Sequence, residues 1–276
     1  MDNSGFHGDV DGDDLMAKLH ELHRSLGSPS PALLRVYLDQ HGIGRSTAYD
    51  LLTPGKITRP SWNTVEGFVN ACADYAGRKR LSLPAGWDDI RSWQRLFEQH
   101  RATVNVRLKT ANLELRGTWQ PNATERAAAW ELYVELITRV ALVPLADDTG
   151  SDREAMNSLH QLFGIHREVL RRYGPTIAEP KSNGQYNLAY LAVTALNYVI
   201  RPFLTSWHPL LADMEARRPS GIGAADYERQ WCRHDEFRAA LTLVRKELHA
   251  YAQWLSWACD VPDLLTAVPP VSGPGE

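Results

Sequence analysis

PALLRVYLDQHGIGRSTAYDLLTPGKITRPSWNTVEGFVNAC, residues 31–72, is the stretch on which the reading of the chain turns. Leu33, Leu34 and Leu38 recur at helical spacing, Gly42 ends that run, and Ile43 is the one apolar residue of the turn. A second short helix begins at Arg45. Its inward positions are Ala48, Leu51 and Leu52, which leaves Arg45, Ser46, Thr47, Tyr49 and Asp50 facing outward. Two helices joined by so short a glycine turn must cross steeply. Pro54-Gly55 ends the second helix, and Ser61 is placed to cap a third that carries Trp62, Val65, Phe68 and Val69. Together the three stripes close one small core.

This is the pattern of a helix-turn-helix with a supporting helix. Such units usually set a small residue of the first helix against a branched one of the second; here Leu38 is expected to face Ala48, an exchange that conserves total volume. The stretch resembles the Cro/repressor-type (Xre-like) helix-turn-helix found at the front of many actinobacterial multidomain proteins. The residues that carry the resemblance are Gly42-Ile43, Arg45-Ser46-Thr47, Tyr49-Asp50, Pro54-Gly55-Lys56, Pro60-Ser61-Trp62, Thr64-Val65-Glu66 and Val69 to Cys72. It covers about the first third of the chain.

The resemblance implies binding to double-stranded DNA, with the helix from Arg45 to Leu52 in the major groove. Arg45, Ser46 and Thr47 would approach base edges, Tyr49 a base or sugar, and Lys56 and Arg59 the phosphates. One such helix buries too little surface for tight specific binding, so a homodimer on a pseudo-palindrome is expected. Two positions depart from a strong DNA reader. Gly44 stands where serine or threonine would cap the recognition helix, and Asp50 would sit near phosphates. Family members also include units fused to signalling or defence proteins, so an interaction module that never touches DNA is the alternative.

Bulk properties suit this reading. A chain of 276 residues, 43% hydrophobic, has room for two modest domains. The formal net charge is −3, but residues 15–117 hold 15 Lys/Arg against 9 Asp/Glu, while residues 118–276 hold 15 against 19. Positive charge gathers where phosphate contact would need it. Cys72, Cys232 and Cys259 are odd in number and far apart, which implies neither a disulfide framework nor a zinc knuckle. With no leader and no apolar run of membrane-spanning length, a cytoplasmic protein is expected, nucleoid-associated if it binds DNA.

The fold class expected is all-α: an N-terminal helix-turn-helix domain over residues 13–105, then an antiparallel four-helix-bundle-like domain over residues 122–265. Residues 1–12 and 266–276 read as disordered tails by composition, and residues 106–121 as a linker without helical period. Asp13 or Asp14 is placed to cap a first helix through Ser25 with a stripe of Leu15, Leu19 and Leu22. A later helix, residues 88–104, turns Ile90, Trp93, Leu96 and Phe97 to one side, and Arg78-Lys79-Arg80 ahead of it is either a phosphate grip or a solvated loop.

In the second half, Asn122 with Glu125 and Ser151 with Glu154 have capping-box spacing, each ahead of a long periodic run. Those helices are expected to reach Val143 and Tyr173. A third, Tyr186 to Ala216, should be kinked or split by Pro202 and Pro209, and a fourth, Asp226 to Cys259, carries a heptad seam from Phe237 to Ala258. This bundle would supply a dimer contact, a ligand pocket or a protein-partner surface.

No enzymatic constellation emerges. There is no Glu-x-x-His for a di-iron bundle, no glycine-rich phosphate loop and no nucleophile elbow. Three Arg/His pairs fit the spacing of HEPN-type ribonucleases: Arg153 with His160, Arg201 with His208 and Arg229 with His234. Pro202 directly after Arg201 breaks that pattern, and the other two arginines fall in first turns of helices. His20 and His23 lack a third ligand, and His166 sits on an apolar stripe where a hydrogen-bonded core histidine is expected. No cofactor, metal or catalytic residue is assigned.

Overall fold

The computed structural model describes residues 15–110, 113–139, 142, 150–182 and 184–264. Both expected tails, 1–12 and 266–276, the cap at Asp13 or Asp14, and the helix stop at Pro144 lie outside the described residues. The chain divides into two compact units, Met1–Ala102 and Thr103–Glu276. It is mostly helical, with one two-stranded antiparallel sheet.

The first unit contains α1 (Leu15–Ser25), α2 (Arg35–Gln40), α3 (Arg45–Leu52), α4 (Trp62–Lys79) and α5 (Ile90–Ala102). Leu15, Leu19 and Leu22 of α1 are buried with Leu34, Leu38, Ala48, Leu51, Val65, Phe68 and Val69 in one core. The turn between α2 and α3 needs its glycine: Gly42 sits at φ 72, a conformation side chains disfavour, and Ile43 beyond it donates back to the Leu38 carbonyl at 2.9 Å. The Ser61 hydroxyl accepts the Thr64 N–H and so caps α4. Leu33 departs from expectation: α2 begins only at Arg35, so Leu33 lies ahead of the helix and is 66% exposed.

The second unit opens on a hairpin of β1 (Val104–Lys109) and β2 (Glu114–Trp119) where a linker was expected. The physical cause is a period of two: Val104, Val106 and Leu108 alternate with Asn105, Arg107 and Lys109, which puts one face in the core and one in solvent. The mostly helical structure is consistent with the all-α expectation, to which it adds this small sheet, and the segment belongs to the unit that follows it rather than to a linker.

Next come α6 (Ala123–Ile137), α7 (Asp152–Tyr173), a 3-10 turn at Gly174–Ala178, α8 (Leu188–Thr194), a π-helical segment at Ala195–Ile200, α9 (Arg201–Ala216), α10 (Ala224–Arg229) and α11 (His234–Cys259). α11 packs against α6, α9 and β1, and α7 against α6 and α9. α6 stops at Ile137, short of Val143. The expected helix from Asp226 is two helices, α10 and α11. Pro202 falls at the start of α9, directly after the π-helical segment, and α9 runs on through Pro209.

From Leu188 to Ala216 the helical run is long and apolar enough, by length and composition, to cross a bilayer, which corrects the expectation that no such run exists. Just over half of its most apolar window, 56%, is buried inside the protein.

Candidate nucleic-acid interface

α3 presents the candidate interface, and the way it packs decides what faces out. Ala48 and Leu51 are fully buried, so the residues between and before them must point away. Arg45 and Ser46 are exposed, Thr47 is half-buried, and Tyr49 is 61% exposed, a large amount for an aromatic ring. Gly44 caps α3 through its extended backbone with no side-chain hydrogen bond. Arg45 forms no ion pair among the described residues.

Arg45, Ser46, Tyr49 and Asp50 form one wall of an open cleft of about 560 Å³ whose other wall is Ser30, Pro31 and Ala32. That second wall carried no functional signal in the sequence. Lys56 is exposed beyond α3 and its Nζ stands 3.5 Å from the Asp50 carboxylate. Asp50 therefore draws that cation toward α3 while placing a negative charge on the same surface.

Arg59 is placed differently from the other five. Its guanidinium donates to the main-chain carbonyls of Arg101 and His100 at the end of α5, at 3.3 and 3.5 Å, and the His100 ring contacts the Thr58 carbonyl at 2.9 Å. A cation at a helix C-terminus complements the helix dipole. Arg59 thus ties the loop after α3 to α5, and Thr47, Lys56 and Arg59 are not among the cleft walls.

α3 is held from behind by two contacts that the sequence did not announce. The His20 ring of α1 bonds the Leu51 carbonyl at 3.0 Å, an end-of-helix acceptor taken up by a neighbouring helix. Gly67 of α4 lies under the turn, where a Cβ would meet the Ile43 side chain at 2.6 Å and the His41 carbonyl at 2.8 Å. A glycine inside an apolar helical pattern was the available signal. α2 is fastened to α4 by His41–Asp74 at 2.8 Å and by Tyr37, which meets Tyr75 edge-on and lies under the Arg78 guanidinium. Arg78 and Lys79 form the last turn of α4, so the basic cluster sits on helix rather than loop.

In the second unit the arginines singled out for ribonuclease chemistry are each engaged. Arg153 makes a two-pronged pair with Glu215 at 2.7 and 2.5 Å, Arg201 bonds Asn197 and covers the Phe163 ring, and Arg229 pairs with Asp226. His234 meets the buried Asp152 carboxylate at 2.9 Å, which Arg238 also contacts. His166 is buried with Nδ1 on the Leu162 carbonyl at 2.8 Å, the helical back-bond of a core histidine. Burial, assisted by the Arg139 charge and opposed by the Leu162 bond, pushes its pKa down to about 4. Among the described residues no group of three or more His, Cys, Asp or Glu is arranged to hold a metal ion.

No family model matches the chain, and no curated protein or solved structure matches it at a significant level.

Proposed function

We propose that the chain is a sequence-specific, double-stranded-DNA-binding transcriptional regulator. In this reading α2 and α3 are a Cro/repressor-type helix-turn-helix, and α6, α7, α8–α9 and α11 are an antiparallel four-helix bundle that serves a homodimer or an effector. The observation that carries it is the composition of the outward face of α3. An arginine with no ion pair among the described residues, a serine, a half-buried threonine and a largely exposed tyrosine share a short helix that buries Ala48 and Leu51 completely on its opposite face. Those are side chains that donate to base edges and phosphates, on an element narrow enough to enter the major groove.

The alternative, a protein-docking module, draws on a different observation. Leu33 and Val36 are 66% and 61% exposed beside the same helices, and aliphatic side chains suit a protein partner better than a phosphate backbone.

Binding of the full chain to a fluorescent duplex from its own upstream region, titrated in salt against a scrambled duplex, separates the two. A preference on the order of a thousandfold with a steep salt slope supports the regulator. Arg45→Ala should then erase most of the preference, and Lys56→Ala should weaken both duplexes alike and flatten the slope by about one unit. Binding that is absent or blind to sequence would overturn the regulator in favour of protein docking.

A further inference from the structure

We infer that the solvent face of the β1–β2 hairpin is a second DNA-backbone contact, carried by the second unit; the inference rests on the DNA-binding reading above. Its foundation is the strand register. Asn105 stands opposite Thr118, Arg107 opposite Arg116, and Lys109 opposite Glu114. Val104, Val106, Leu108, Leu115 and Trp119 fill the inner face, so the six paired residues make up the outer one.

Two like charges directly opposite on an antiparallel pair, with Cβ atoms about 5 Å apart, repel and destabilise the ladder. A solvent face under no other demand would place opposite charges there. Glu114 offsets one arginine only: its carboxylate lies 3.2 Å from the Arg116 guanidinium. Arg107 and Lys109 have no ion pair among the described residues, and the face carries three cations against one anion. All four charged side chains are exposed, and β1 is backed by α11, so the cations are presented on a stiff ladder.

The occupant that fits is the phosphodiester backbone of duplex DNA. A two-stranded ribbon has the width of the major groove, phosphates relieve the arginine repulsion, and Asn105 and Thr118 supply hydrogen-bonding neighbours along the same strand pair.

The test uses the full chain and the upstream duplex. Arg107→Gln with Lys109→Gln should weaken binding roughly tenfold near physiological salt and make the slope of log affinity against log salt shallower by about 1.8, since each phosphate contact adds about 0.9. The charge-keeping pair Arg107→Lys with Lys109→Arg should restore both. Folding is checked in the same samples, because easing the Arg107–Arg116 repulsion should leave the melting temperature equal or higher.

If the glutamine pair binds with unchanged slope and affinity while Arg45→Ala loses its preference, the hairpin inference fails and the α3 reading stands. Should the glutamine pair lose affinity while Arg45→Ala changes nothing, the hairpin is the contact and the α3 reading fails. A parent chain that does not bind duplex DNA overturns both.

Discussion

The Lys181 ammonium lies 2.6 Å from the Glu125 carboxylate, which is completely buried beneath it. Glu125 accepts three further donors: the Trp119 indole N–H at 3.0 Å and the main-chain N–H groups of Asn122 and Leu188, each at 2.9 Å. One carboxylate therefore joins the end of β2, the start of α6 and the start of α8. It also completes the capping box with Asn122 that the sequence displayed.

Glu125→Gln keeps the volume but replaces one acceptor oxygen by an NH₂ group facing donors. Uncoupling a buried ion pair from one side costs about 3–5 kcal/mol, so this variant should unfold at markedly lower denaturant while Glu131→Gln, at a half-buried position of the same helix that pairs with the exposed Arg172, should shift the midpoint less. Equal midpoints for Glu125→Gln and the parent chain would show that the node contributes nothing.

His166 sets a pH dependence. Unfolded, the ring takes up a proton near its ordinary 6.5; folded, it does so only near 4. Between those values the unfolded chain binds more protons, so the stability this residue contributes is full above pH 6.5 and declines as pH falls toward 4. The loss approaches about 1.4 kcal/mol per pH unit and totals about 3 kcal/mol. In His166→Leu, urea unfolding should lose less stability between pH 7 and pH 5 than in the parent, by about 2 kcal/mol. Parallel pH profiles would mean that the ring is not held neutral.

A glycine within a helical pattern marks a place for close packing, and the fold shows that the α2–α3 turn lies over Gly67. In Gly67→Ala the new methyl group has to displace Ile43 or the His41 carbonyl. The backbone oxygen cannot swing away as a side-chain end can, so overpacking should cost about 1–3 kcal/mol. Gly77 of the same helix meets nothing within 4 Å, and Gly77→Ala should be neutral or stabilising. Thermal melts of the two variants that coincide would remove the argument for close approach.

The contrast between these glycines shows where sequence reading stops. Burial of Ala48 and Leu51, and hence exposure of Arg45, Ser46 and Tyr49, follows from a local period and was legible. The engagement of Arg59 with the end of α5 joins residues 42 positions apart, and no local pattern encodes it. The hairpin failed for a mixed reason. β1 alternates plainly, but β2 has Gly117 where an apolar residue would continue its inner face, because the Tyr186 ring occupies that space and a Cβ would come within 2.6 Å of it. Half the strand signal is thus supplied by a residue almost seventy positions later. The change before α9 is similar: the run between α8 and α9 is π-helical and ends two residues before Pro202.

Asp50 gives the sharpest local test of the α3 surface. It shares the cleft wall with Arg45 and Tyr49 and stands 3.5 Å from the Lys56 ammonium, so it both repels an approaching phosphate and occupies the cation that would meet one. Asp50→Asn keeps the shape, removes the charge and releases Lys56. If α3 lies against DNA, affinity for matched and scrambled duplexes alike should rise several-fold, because the repelling carboxylate is gone and Lys56 no longer shares its charge with it. The gain should shrink in Asp50→Asn combined with Lys56→Ala, because part of it depends on the freed cation. On a protein-docking surface the same substitution would leave duplex binding flat, so an Asp50→Asn chain with unchanged DNA affinity and slope would take α3 away from the phosphates.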